Sequence, residues 1–139
     1  MRTLRHWPRL AGAALLAAAA ALPGCGKSEP DNVVHVRGTV TYDGKPIPLG
    51  MIIFEPDPSR GTRGQQGHAD IKDGRFDTTV SEKGAAIGHQ IVRVTGGDGV
   101  NPEPFTPFGN LLFEEHTVRI ELSRDAAPLT IDVPKAKKK

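Results

Sequence analysis

The sequence predicts an all-β fold: one antiparallel Greek-key β-sandwich of about seven strands, preceded by a signal peptide. Three observations carry this. Apolar and polar side chains alternate at period two in one segment after another. Gly, Pro and Asp fall at the joints between those segments, where turns need them. No stretch after residue 25 sustains the 3.6-residue period of an amphipathic helix.

Residues 34–42 form the first predicted strand. Val34, Val36, Val40 and Tyr42 share one parity with Gly38 among them, and His35, Arg37, Thr39 and Thr41 share the other, so one face is set to be buried. Asp43-Gly44 turns the chain. The segment 45–50 holds Pro46 and Pro48, which remove ladder donors, and is therefore an edge or a crossover before the buried-type strand Met51-Ile52-Ile53-Phe54. Residues 59–66 are a polar loop. Residues 67–71 and 75–80 read as a hairpin closed at Asp73-Gly74, a pair that tolerates the positive φ of tight turns. Residues 89–95 follow as a strand with Val92 and Val94 inward. Residues 96–110 form a long irregular loop, carrying three prolines and the pair Phe105 and Phe108. Strict alternation resumes over 115–122 through Val118, Ile120 and Leu122. Residues 129–133 make the last strand, which Pro134 stops.

The first two dozen of the 139 residues do not belong to this fold. Arg2, Arg5 and Arg9 precede an unbroken Leu/Ala/Gly run over residues 10–22. That run falls short of the roughly 20 apolar residues that span a bilayer, and it fits the apolar region of a secretory signal. Leu22-Pro23-Gly24-Cys25 then resembles a bacterial lipobox, which implies that Cys25 is lipidated and becomes the mature N-terminus. Cys25 is the only cysteine, so it has no intramolecular disulfide partner. Lipidation accounts for it. One acyl chain binds a membrane marginally at about 0.8 kcal/mol per buried CH₂, whereas the two or three on such a cysteine hold stably. The alternative is cleavage after Ala19, Ala20 or Ala21, which leaves a soluble protein with a free thiol.

The chain thus divides into a lipoprotein signal peptide (1–24), a polar, flexible tether (25–32), the sandwich (33–134) and a basic tail (135–139). All sixteen acidic residues follow Cys25, against fifteen basic ones, four of which are tail lysines. The body of the domain is therefore acidic, which argues against a nucleic-acid partner. Lys135, Lys137, Lys138 and Lys139 make either a solvated end or a salt-sensitive contact with an anionic bilayer.

Candidate chemistry is sparse. There is no Gly-x-Ser-x-Gly elbow, and Ser81 and Ser123 sit in turn-like stretches. His35, His68, His89 and His116 lack metal-ligand spacing, and three of them take outward parity. Asp70, Asp73 and Asp77 lack the spacing of a calcium loop, and Asp73 is explained by its turn. No cofactor or metal is expected. Phe105 and Phe108, on either side of Pro107, are the candidate ligand contacts; the other reading is that both rings fold back to cap the open end of the sandwich.

Val36-x-Gly38-x-Val40-Thr41-Tyr42-Asp43-Gly44-Lys45-Pro46, followed by Gly50-x-Ile52-x-Phe54-x-Pro56-Asp57 and Asp73-Gly74-Arg75-Phe76, resembles the carboxypeptidase-regulatory-like, or transthyretin-like, domains of many small planctomycete lipoproteins. The resemblance covers most of residues 34–95. It implies a prealbumin-like sandwich, exported and anchored, with no catalytic residues. Transthyretin-like enzymes that hydrolyse 5-hydroxyisourate end in Tyr-Arg-Gly-Ser, whereas this chain ends in Lys-Ala-Lys-Lys-Lys. The expected protein is a non-enzymatic cell-envelope lipoprotein, held to the membrane through Cys25, with a structural or protein-interaction role. The alternative is a carbohydrate or small-ligand module that uses the 96–110 loop.

Overall fold

A computed structural model of the chain describes residues 30–125 and 127–136. The signal peptide, Cys25 and residues 26–29 of the tether lie outside the described residues, as do Lys137, Lys138 and Lys139. The fold is all-β. Its strands are β1 (Val33–Val34), β2 (Arg37–Tyr42), β3 (Lys45–Pro46), β4 (Leu49–Pro56), β5 (Gly67–Lys72), β6 (Arg75–Asp77), β7 (Ala85–Ala86), β8 (Gly88–Gly97), β9 (His116–Leu122) and β10 (Leu129–Val133). A 3-10 turn over Pro58–Arg60 follows β4.

The main sheet runs β10-β2-β6-β5-β4-β8-β9, with β3 added to β2, and β1 and β7 form a separate pair. β9 and β10 stand at opposite ends of this order yet are joined by residues 123–128. Seven strands laid flat would put them about 29 Å apart at 4.8 Å per step, more than the roughly 24 Å that such a connection spans when fully extended. The sheet therefore curls over on itself as a β-sandwich, with its apolar faces turned inward.

Alternation fills that interior. In β4, Ile52 and Phe54 are buried, and they lie opposite the buried Val94 and Val92 of β8. Val40, Ile47, Ile71, Phe76, Ile131 and Val133 belong to the same core, with Val36, Ala69, Ala85 and Leu122, and the ring centroids of Phe54 and Phe76 lie 6.0 Å apart within it. Burying each of the larger side chains is worth about 1.5–3 kcal/mol. Both Asp-Gly turns form as predicted: Asp43 and Gly44, then Asp73 and Gly74, carry positive φ at both central positions, the geometry that matches strand twist. Lys45–Pro46 pairs only with the end of β2, in keeping with Pro46, which has no N–H to donate to a second neighbour.

Three features depart from the sequence reading. The first predicted strand is split: Val33–Val34 leaves the main sheet to pair with Ala85–Ala86, and β2 starts only at Arg37. The predicted strand over 75–80 stops at Asp77, because the Asp77 carboxylate accepts from the Thr79 N–H at 2.8 Å and draws the backbone into turns. Thr78 stays buried, and its hydroxyl accepts the Val36 N–H at 2.9 Å, replacing a ladder bond with a side-chain one. Val80, inward by parity, is instead 86% exposed. Finally, among the described residues every strand pairing is antiparallel except that of β10, which lies parallel to β2.

Candidate interaction surface

Gly96 and Gly97, expected in the loop, are the end of β8, and residues 98–113 beyond them are folded although they hold no named strand. Gly97 bridges Leu111, Asp98 N–H donates to Asn110 O at 2.9 Å, and Gly99 N–H donates to Phe108 O at 2.9 Å. A smaller closure sits at the tip, where Glu103 and Thr106 exchange backbone bonds at 3.2 and 3.0 Å. Asp98 is the hub. Its carboxylate accepts from the Val100 N–H, the Asn110 N–H and the Asn110 side-chain amide, at 2.9, 3.0 and 2.9 Å. These donors, led by the Asn110 amide, hold the Asp98 carboxyl below its ordinary value. At the base, the Phe113 ring lies 5.1 Å from that of Tyr42, which ties the loop to the end of β2.

The two candidate rings part company in this frame. Phe105 sits between Glu103 and Thr106 and is 97% exposed. Phe108 is half-buried and packed against Gly97, where an added Cβ would lie 2.1 Å from Phe108 O and 2.8 Å from its Cβ. Close approach at Gly97 is thus what lets the loop lie down on β8. Val100 and Leu111, both exposed, add apolar surface to the same loop.

Strand direction places this surface at one end of the molecule. The loop leaves the C-terminal end of β8, beside the Asp43-Gly44 and Asp73-Gly74 turns. The described N-terminal residues sit at the other end: Asn32 O accepts from Ile87 N–H at 2.8 Å, just before β8 begins, and the Arg124 guanidinium donates to Asp31 O. The chain that leads back to Cys25 therefore leaves from the end opposite Phe105. Lys135, first of the tail lysines, is 3.8 Å from Asp43 at the Phe105 end.

The remaining candidates are dispersed. His89 pairs with Glu121 and His116 with Val94, near opposite ends of the β8–β9 ladder. His35 follows β1, with its Nδ1 3.3 Å from Thr78 Oγ1, and His68 lies on β5. Among the described residues no three His, Cys, Asp or Glu side chains gather as metal ligands. The Ser81 hydroxyl donates to the backbone oxygens of His68 and Thr78, and Asp77 is held by Thr79. Sequence reasoning passed over one feature, a groove of about 570 Å³ across the outer face of β2, β6 and β5, lined by Arg37, Thr39, Asp70, Lys72 and Arg75. Its only trace in the sequence is a pair of cations on either side of Asp73-Gly74. No family model, no curated protein and no solved structure matches the chain.

Proposed function

We propose that the protein is a membrane-anchored envelope lipoprotein whose non-catalytic, prealbumin-like sandwich holds a protein partner at the Phe105 end. The observation that carries this is the full exposure of Phe105 on a loop fixed by Asp98 and Asn110, at the end of the domain away from the N-terminal tether. An aromatic ring held in water by a fixed loop gains free energy when a partner covers it, and little loop ordering is then left to oppose binding. A sugar platform is less well supported, since Phe108 is half-buried and Phe105 is the single exposed ring among the described residues. The resemblance of residues 34–95 to anchored transthyretin-like domains and the lipobox-like Leu22-Pro23-Gly24-Cys25 support the anchor.

Two variants test the two halves of this reading. Cys25→Ala is expected to leave the membrane fraction and to lose fatty-acid label; a variant that stays in the pellet with unchanged mass overturns the anchor. Phe105→Ala is expected to melt with wild type and to lose a stoichiometric partner that co-purifies from the envelope. Retention of that partner by the variant overturns the assignment of the surface.

A further inference from the structure

We propose that the free edge of β9 pairs with β9 of a second copy of the chain, giving a twofold dimer centred on Ile120. β9 closes one end of the main sheet and has β8 as its only neighbour among the described residues. Which of its backbone groups face outward follows from β8. His89 O accepts the Asp57 N–H at 3.0 Å, so His89 turns its backbone toward β4. In an antiparallel ladder the next residue turns the opposite way, and Gln90, Val92 and Val94 therefore bond to Ile120, Val118 and His116. Thr117, Arg119 and Glu121 lie between those, aim their N–H and C=O groups away from β8, and are all exposed. The two edges of the sheet differ. β10 has five residues, with Pro128 before it and Pro134 after it, which blunts that edge. β9 has seven residues in unbroken register with β8 and holds no proline, glycine or lysine. Its Val118 and Ile120 pack on the core but stay half-buried, which leaves apolar surface for a partner strand to cover.

Charge selects the occupant and the register. In a twofold antiparallel pairing, Thr117, Arg119 and Glu121 must meet one another for their outward groups to bond. Centred on Arg119, the pairing sets two arginines face to face; centred on Val118, it sets Glu115 against the partner's Glu121. Both arrangements oppose like charges. Centred on Ile120, it sets Arg119 against the partner's Glu121 on each side of the axis, with Ile120 against the partner's Ile120 and Val118 against the partner's Leu122. Opposite charges then meet on one face and apolar side chains on the other. Arg119 is available for this, because its contact with Asp57 is 3.6 Å, longer than a hydrogen bond, and its side chain is 66% exposed. Glu121 has no ion pair among the described residues. The axis at Ile120 lies close to Leu122, which faces Gly88 beside the N-terminal residues. Both N-terminal tethers thus leave near the middle of the dimer, and the two Phe105 loops lie at its far ends.

The test uses the full lipidated protein in detergent, with micelles in excess, and reads the protein mass by light scattering. A dimer is expected at micromolar concentration, loosening as salt rises. Arg119→Glu is expected to weaken dimerisation about tenfold, and Arg119→Glu with Glu121→Arg to restore it, since the exchange keeps the cross-axis pairs while losing the contact with Asp57. Ile120→Cys is expected to form an intersubunit disulfide under mild oxidation, because a residue on the axis and its copy come within disulfide reach. Thr117→Cys, well off the axis, is not, and the wild type, with Cys25 alone, sets the background. Phe105→Ala is expected to dimerise as wild type does, which keeps this interface distinct from the partner surface. A monomer at these concentrations, equal cross-linking of Ile120→Cys and Thr117→Cys, or a double variant no tighter than Arg119→Glu each overturns the proposal.

Discussion

Asp98 is one acidic residue among sixteen in the sequence, and nothing in its neighbours marks it out. Its role comes from Asn110, twelve positions away, whose backbone and side chain both donate to it. Because those bonds favour the charged form, the folded pKa of Asp98 lies below the unfolded value of about 3.9. Its contribution to loop order is therefore complete above that value and is lost as pH falls through the folded pKa. We expect the amide resonances of Gly99, Val100 and Asn110 to stay fixed from neutral pH down to about 5 and to shift together only in more acidic solution. Asp98→Ala should produce the same shifts at neutral pH. Movement of these amides near neutrality would show that another group holds the loop. The Arg93 guanidinium offers a contrast: it bonds Glu115 at 2.8 Å and Glu55 at 3.0 Å at the surface, where such pairs contribute little.

Among the elements, β10 shows how a strand's neighbour is chosen. Its inward residues Ile131 and Val133 were legible from alternation, and so were those of β8 and β9. Its partner was not, because alternation fixes which face is buried and is silent on which edge a strand joins. The parallel register puts Leu129 beside Gly38, and a Cβ at Gly38 would lie 1.9 Å from Leu129 O. Gly38→Ala therefore has to push β10 off β2. We expect it to cost about 1–3 kcal/mol, seen as a melting temperature lower by several degrees. A melting temperature equal to wild type would mean that β10 is not seated this closely. The early stop of β6 has a similar cause. Phe76, Thr78 and Val80 keep the period of a strand, but the Asp77 carboxylate and the Thr78 hydroxyl compete successfully for backbone donors, and period alone does not record that competition.

At the scale of the whole molecule, the domain has a polarity. β8 runs ten residues, about 33 Å, from the end where the N-terminal residues pack to the end that carries Phe105. Residues 26–32, fully extended, reach at most about 25 Å. Under the proposed anchor at Cys25, a domain standing on its tether would present the Phe105 loop away from the bilayer. On vesicles containing spin-labelled lipid, we expect a fluorophore at Lys83 to be quenched and one at Glu103 to be spared. The reverse order would show that the domain lies down or is held elsewhere. This polarity joins two features far apart in the chain, and no local pattern announces it. By itself the sequence determined which side chains are greasy together, where the Asp-Gly turns fall and that the fold is all-β, since those depend on neighbours within a few residues. Only the tertiary structure decided that Phe105 stays in water while Phe108 is half-buried, that β6 leaves β5 for β2 after a single pair, and that the two ends differ. Each of those outcomes depends on contacts between residues that only the curling of the sheet brings together.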